Sequence, residues 1–236
     1  MSETPRKLAL VGYGRMGRLL DTLAEGHGFE VTLRLDEFNN PGGVALSLEN
    51  FEGVDVAVDF SIPDVVADNA VRLAELGIPL AIGTTGWLDE LDRVREAVET
   101  HGSGLVYGAN FSIGVNAFYR VVEAASKALA EQEQYDAFLY EAHHRFKKDA
   151  PSGTALRLLD AMRDAGYDRP VDVATHRSGH FPGIHEIGFD SEADTIRVSH
   201  SARSRLGFAH GALKAARWVI GRKGVFEFSR IWDRLG

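Results

Sequence analysis

The segment Leu8-Ala-Leu-Val-Gly12-Tyr-Gly14-Arg-Met-Gly17-Arg18 constrains this chain more than any other. Its apolar run reads as a strand buried on both faces, and the glycines follow directly, with a helical pattern behind them. Each glycine of a G-x-G-x-x-G turn has a physical reason. The first permits the tight turn, the second lets a pyrophosphate approach the backbone, and the third lets helix and strand pack closely. A glycine-rich turn without a ligand is the plain alternative. Asp36 closes the second apolar run 24 residues after Gly12 and favours dinucleotide binding, because a carboxylate there accepts hydrogen bonds from the adenine ribose hydroxyls.

From Leu8 to about Val106 short apolar runs alternate with helical patterns, the signature of a parallel sheet covered by helices. Strands are expected at Leu8 to Val11, Glu30 to Leu35, Val54 to Phe60, Pro79 to Ile82 and Leu105 to Tyr107. Pro63 suits the first turn of a helix, and Leu88, Leu91, Val94 and Val98 mark another. The fold class is a Rossmann-type doubly wound α/β sheet. Its carboxyl-end loops border the ligand crevice, so Gly83-Thr84-Thr85-Gly86 and Gly108-Ala109-Asn110-Phe111 join Gly12, Tyr13, Gly14, Arg15, Met16, Gly17 and Asp36 as the expected cofactor site. Taken singly, each of these two loops is as well explained as an ordinary strand-to-helix turn. Asp36 and Glu37 repel a 2′-phosphate, whereas Arg15 and Arg34 can offset that repulsion if they reach it. The expected cofactor is NADH, or NADH and NADPH both.

After Asn110 the texture changes. A long helical pattern from about Val115 to Glu131 leads to the apolar run Ala137 to Tyr140, and Ile184 to Phe189 and Thr195 to His200 alternate like strands of a more open sheet. Gly211 to Val219 reads as a helix again. The expected organisation is a dinucleotide-binding domain of residues 1–110 plus 207–236, with an α+β substrate-binding and oligomerisation domain, residues 111–206, inserted into it.

Composition removes several function classes. Of 236 residues none is Cys, which excludes disulfide scaffolds, thiolate metal sites and cysteine nucleophiles. The net charge of −8 argues against a nucleic-acid partner, which needs a basic face. No run approaches the roughly 18 to 20 apolar residues of a membrane span. The start, Met1 to Lys7, is polar and lacks the apolar stretch of a signal peptide. The expectation is a cytoplasmic protein with no membrane partner.

The densest chemistry lies in Glu141-Ala-His143-His144-Arg-Phe-Lys147-Lys148-Asp-Ala-Pro151-Ser152-Gly153-Thr154-Ala155. Ser152 is a good N-cap for a helix through Leu156 to Met162, leaving the amides of Gly153 and Thr154 to form a carboxylate or phosphate site. Lys147 and the imidazoles stand a few residues upstream and add positive charge and a proton donor. The combination suits an anionic substrate that is protonated during reaction. A solvated basic loop is the bland alternative. Two adjacent His can also be half of a metal site, but no third ligand stands at a recognisable spacing, so no metal is expected. A second cationic set runs from Thr195 to Ala212, and Arg197, Ser199 and Ser201 share one strand face. An exposed strand edge whose charges discourage aggregation accounts for it equally well.

These residues resemble the 4-hydroxy-tetrahydrodipicolinate reductase (dihydrodipicolinate reductase) family of lysine and diaminopimelate biosynthesis. The similarity runs through Val11 to Gly17, Asp59-Phe-Ser, Gly83 to Gly86, Ala109 to Asn116, Glu141 to Ala155, Pro182-Gly-Ile-His-Glu186 and Ser204 to Ala212, nearly the whole chain. The E-x-H-H-x-x-K-x-D-A-P-S-G-T-A block is close to a family signature. The resemblance implies that His143 is the proton donor and Lys147 a second catalytic cation. His144, Gly153 and Thr154 then contact substrate carboxylates beside Ser152, and Arg205 helps shape the substrate pocket. It also implies a small dicarboxylate substrate, nicotinamide-side loops at Gly83 to Thr85 and Gly108 to Phe111, a homotetramer built through the substrate-domain sheets, and closure of the two domains about hinges. Two departures stand out. Many members space the first loop G-x-x-G-x-x-G, which is shorter here, and Glu37 replaces the basic residue that often follows the ribose acid. Another Rossmann dehydrogenase acting on an anionic imine or carbonyl, or a catalytically silent dinucleotide sensor, remain the competing functions.

Overall fold

A computed structural model describes residues 4–235, so Gly236 and the first three residues of the polar start lie outside it. The described residues divide into two compact units, one running to Ile113 and resuming at Leu206, the other Gly114–Arg205.

The first unit is built on six parallel strands. They are β1 (Arg6–Val11), β2 (Phe29–Leu35), β3 (Val56–Asp59), β4 (Leu80–Ile82), β5 (Gly104–Tyr107) and, at the far end of the chain, β10 (Gly224–Glu227). Their order is β10-β5-β4-β3-β1-β2. A parallel sheet must be covered on both faces, and alternate residues of each strand enter separate cores. Leu8, Leu10, Val56, Val58 and Val106 pack with α1 (Arg15–Ala24) and α6 (Leu206–Val219) through Leu20, Ala24, Ala212, Leu213 and Ala216. Ala9, Val11, Ala57, Leu80 and Leu105 pack with α2 (Pro63–Glu75) and α3 (Leu91–Thr100) through Val66, Ala70, Leu73, Val94 and Val98. Strand order reverses between β1 and β3, so the carboxyl ends there open a crevice.

The second unit holds β6 (Asp136–His143), β7 (Val171–Arg177), β8 (Ile184–Asp190) and β9 (Thr195–Ser201) in the order β7-β6-β8-β9. The helices α4 (Ile113–Leu129) and α5 (Gly153–Asp164) cover one face, where Phe118, Val122, Leu158 and Met162 meet Leu139, Ile187 and Phe189. The expected architecture, a Rossmann-type sheet with an inserted α+β unit, is what forms. Two strands were not anticipated. Strand β7 is an edge strand with an almost wholly exposed burial pattern, and β10 has only four residues. Helix α6 also begins five residues before the expected Gly211. Among the described residues no helix is long and apolar enough to cross a membrane.

Candidate active site

Gly12 has φ +85°, and a Cβ there would stand 2.4 Å from the carbonyl carbon of Phe60 and the nitrogen of Ser61. A Cβ on Gly17 would stand 2.5 Å from the Gly12 oxygen, so this glycine sets how closely α1 lies on β1. Gly14 differs. It precedes α1 with an ordinary φ of −84°, it is exposed, and a Cβ on it would meet nothing within 4 Å. Packing within the chain therefore requires two of the three glycines, while the third leaves open backbone at an amino terminus without a side-chain cap. That is the cradle a pyrophosphate needs.

Asp36 lies just beyond β2, and its Oδ1 accepts the N–H groups of Phe38 (2.9 Å) and Asn39 (3.1 Å). Arg34 does not turn to this carboxylate. Its Nε and Nη2 bond the two oxygens of Asp21 on α1 at 2.7 and 2.8 Å, and the Tyr13 hydroxyl donates to the same carboxylate. Hydrogen bonds from Arg34 hold the Asp21 carboxyl below its usual range, although burial opposes this. Of the two cations expected to offset repulsion of a 2′-phosphate, Arg34 is thus neutralised within the fold, while Arg15 is exposed at the start of α1.

At the next strand ends, the fully buried Asp59 accepts the Ser61 N–H (2.7 Å), the Asn69 amide (3.0 Å) and the Thr84 hydroxyl (3.4 Å). It ties the loop Gly83 to Gly86 to β3. Gly83 makes room for the Phe60 ring, which a Cβ would meet at 2.1 Å. In the loop after β5, Gly108 abuts Phe228, Ala109 is exposed, and the Asn110 side chain accepts the Ser112 N–H at 2.9 Å. The Phe111 ring itself belongs to the core, 4.6 Å from the ring of Phe228.

In the second unit, strand parity explains the site. Ala137, Leu139, Glu141 and His143 lie on the helix-covered side of β6 and are all buried. Glu141 pairs in register with His185 of β8, which continues the inward row of Ile187 and Phe189. Arg177, closing β7, donates to Glu141 Oε1 at 2.5 Å. The Ser152 N–H reaches both Glu141 oxygens at 3.1 and 3.2 Å. Ser152 caps α5 as expected, its hydroxyl accepting the Ala155 N–H, and it stands 3.1 Å from His185 Nε2. His143 Nδ1 lies 3.6 Å from Glu141 Oε2, and its ring meets that of His185 edge-on at 4.9 Å.

Burial, reinforced by Lys147 and Arg177, lowers the His143 imidazole below its usual range, and Glu141 counteracts this. Burial also raises Glu141, but the hydrogen bonds from Ser152 and Arg177 outweigh it and hold the carboxyl down. Lys147 Nζ lies 2.8 Å from Asp149 Oδ1, and with the Gly153 N–H it keeps that carboxyl low. A Cβ on Gly153 would meet nothing within 4 Å. Thr154 hydrogen-bonds the Tyr119 hydroxyl, His144 is half-buried near the Phe146 ring, and Arg205 is exposed at the end of the unit.

His185, Arg177 and Glu141 were given no role from the sequence. The available signal was parity, which puts a polar His185 at an inward position of an otherwise apolar row. The same geometry corrects the reading that no third metal ligand accompanies the histidines. Glu141, His143 and His185 offer ligand atoms within 4.8 Å of one another, and His144 is not among them. The Glu141 charge is, however, already met by Arg177, and its oxygens take the Ser152 N–H. The cluster is therefore a hydrogen-bonding network first.

Burial, then the neighbouring His143, push His185 from 6.5 down to about 4. The folded protein keeps it neutral where an unfolded imidazole binds a proton. Its stabilisation is present above about pH 6.5 and is lost as the pH falls to about 4, a loss of about 3 kcal/mol for this group. Urea unfolding near neutrality and near pH 4.5 checks this: His185→Gln shows a smaller acid-induced drop than wild type. Equal drops contradict it.

A glycine cradle at the carboxyl edge of a parallel sheet, with a second unit that gathers imidazoles, a lysine and a helix amino terminus, defines a two-unit oxidoreductase of the Rossmann type. Residues 6–111 match the family model described as dihydrodipicolinate reductase, N-terminus, and residues 114–231 match dihydrodipicolinate reductase, C-terminus. The chain belongs to the dihydrodipicolinate reductase family, whose members are pyridine-nucleotide-dependent reductases. It is 33% identical to the 4-hydroxy-tetrahydrodipicolinate reductase of Christiangramia forsetii, covering 97% of this chain and 98% of that protein. It is 32% identical to the enzyme of that name from Acinetobacter baumannii, covering 94% of each. Among solved structures, dipicolinate-bound dihydrodipicolinate reductase from Paenisporosarcina sp. TG-14 matches with a TM-score of 0.78 over 96% of this chain and 99% of that one. At 21% identity that likeness is one of fold.

Proposed function

We propose that this chain reduces 4-hydroxy-tetrahydrodipicolinate to tetrahydrodipicolinate with loss of water, using NAD(P)H, in lysine and diaminopimelate biosynthesis. The observation that carries the reading is the grouping of the buried His143, Lys147 and the amino end of α5 in a chain whose two halves match both family models. Lys147 and the Gly153 N–H converge on the carboxylate of the exposed Asp149, which a carboxylate of a dicarboxylate substrate displaces to take the same two donors. Thr154 and His144 extend that grip, Ser152 fixes the helix end that presents it, and Arg205 borders the substrate. His143 donates the proton to the substrate atom that gains charge. The open backbone at Gly14 fits a dinucleotide, with Gly12 to Gly17 holding the pyrophosphate, Asp36 the adenine ribose, and the loops Gly83 to Thr85 and Gly108 to Phe111 the nicotinamide side. The bound nicotinamide supplies the hydride.

NADH is the favoured cofactor, with NADPH also used. Asp36 and Glu37 repel a 2′-phosphate, and Arg34 is occupied by Asp21, which leaves Arg15 to offset them. Comparing kcat/KM for the two cofactors tests this, since Asp36→Ala should lower efficiency with NADH and narrow the difference from NADPH. A wild-type preference for NADPH by orders of magnitude contradicts it. The uncovered face of the four-stranded sheet carries Phe138, Tyr140, Glu186 and Arg197, with Arg197 lying over the Phe138 ring. It is the proposed contact of a cytoplasmic homotetramer.

The activity is tested by following cofactor oxidation while a synthase makes the substrate in situ from aspartate semialdehyde and pyruvate. Oxidation that requires the synthase and both of its substrates is expected. No oxidation with either cofactor overturns the proposal, and oxidation only with another anionic imine or carbonyl favours the competing dehydrogenase.

A further inference from the structure

Among the described residues, His143 Nδ1 is a buried nitrogen with no hydrogen-bond partner, and the carboxylate facing it is Glu141 Oε2 at 3.6 Å. Such an atom is costly unless a partner reaches it. On the other side of the ring, Gly183 leaves room beside Nε2, where a Cβ would stand at 3.2 Å. Glu141 is held in place by Arg177 of β7 and by the N–H of Ser152 at the cap of α5, and His185 Nε2 of β8 lies 3.5 Å from the same Oε2. We infer that Glu141 is a positioning residue for proton transfer: its Oε2 takes the Nδ1–H of His143 and leaves Nε2 to deliver the proton, while its bonds to Ser152 set the amino end of α5 where the substrate carboxylate is gripped. The inference rests on His143 being the proton donor proposed above.

Arg177 on β7 and Lys147 in the loop after β6 drive the proton off His143, as burial does, while Glu141 on the same strand and Asp149 in the loop hold it. His185 on β8 is neutral near pH 7 and adds no full charge. Glu141 is the buried one of the two anions, and attraction across that short, poorly solvated gap grows once the ring is protonated. A 3.6 Å separation in the resting protein can therefore close during the reaction, as catalytic hydrogen bonds often do.

The first test uses the wild-type protein. Imidazole ¹⁵N chemical shifts identify the tautomer of His143 at a pH where it is neutral, with His143→Gln assigning the resonance. An Nδ1–H tautomer is expected, and an Nε2–H tautomer with bare Nδ1 overturns the inference. The second test reads the alkaline limb of the pH profile of kcat. Glu141→Gln removes the anion and should move that limb to lower pH, with Glu141→Asp restoring part of the shift. Arg177→Gln removes the opposing cation and should move it to higher pH. A merely structural role shifts neither limb, or lowers kcat without moving its pH dependence, and either result overturns the inference. If Glu141→Gln does not fold, the tautomer and the Arg177→Gln limb decide. Fully active His143→Gln would instead defeat the underlying assignment of the proton donor, so the two failures are distinct.

Discussion

His143→Gln should lower kcat by about 10² to 10⁴, the usual contribution of a positioned general acid. Glutamine fills most of the space and keeps a hydrogen-bonding side chain, but it cannot give up a proton near neutral pH. KM should change little, because the carboxylate grip belongs to Lys147 and the Gly153 N–H, which the substitution leaves in place. The wild-type ring is buried and its imidazole lies below its usual range. Turnover in wild type should accordingly fall as the pH rises through the titration of His143 in the substrate complex, and the variant should lose that alkaline limb. Steady-state kinetics across pH, with thermal unfolding to show that the variant is folded, give the answer. Wild-type turnover in the variant contradicts the assignment.

The second large effect separates two glycines of one loop. Gly12→Ala places a Cβ 2.4 Å from the backbone of Phe60 and Ser61 at a φ of +85°. It should cost on the order of 2–5 kcal/mol of stability, through left-handed backbone strain together with overpacking. Gly14→Ala meets no atom within 4 Å and keeps an ordinary φ. Its unfolding free energy should stay within about 1 kcal/mol of wild type. NADH affinity should nonetheless fall tenfold or more in Gly14→Ala, because the added methyl occupies the approach of the pyrophosphate. Urea unfolding and fluorescence titration with NADH resolve the two cases. Equal stability losses, or a Gly14→Ala protein that binds NADH like wild type, contradict the cradle.

The parts of this molecule that depend on near neighbours in sequence were legible. The apolar run before Gly12, the helical spacing after Pro63 and the Ser152 cap each need only a few adjacent residues to act. What was not legible depends on register between distant segments. His185 reaches Glu141 because β8 pairs with β6, and Arg177 arrives because β7 pairs along the other edge of β6. Strand β7 itself went unseen because almost none of its residues is buried, so no apolar alternation marks it. The fate of Arg34 is a similar case. Its partner Asp21 lies on α1, 13 residues away, and only the docking of α1 beside β2 brings them together. Spacing also paired the wrong imidazoles as a possible metal half-site, since His143 shares its cluster with His185 and not with its neighbour His144. His144 lies one residue beyond the end of β6 and stands by the Phe146 ring instead.

The central claim, reduction of 4-hydroxy-tetrahydrodipicolinate by hydride transfer, is most directly tested by isotope transfer. NADH deuterated at the transferring carbon is supplied with substrate formed in situ, and the tetrahydrodipicolinate produced is analysed by mass spectrometry. Product one mass unit heavier, formed in proportion to the NADH consumed and absent with His143→Gln over the same interval, is the predicted result. Product without deuterium, or NADH consumption without product, contradicts it.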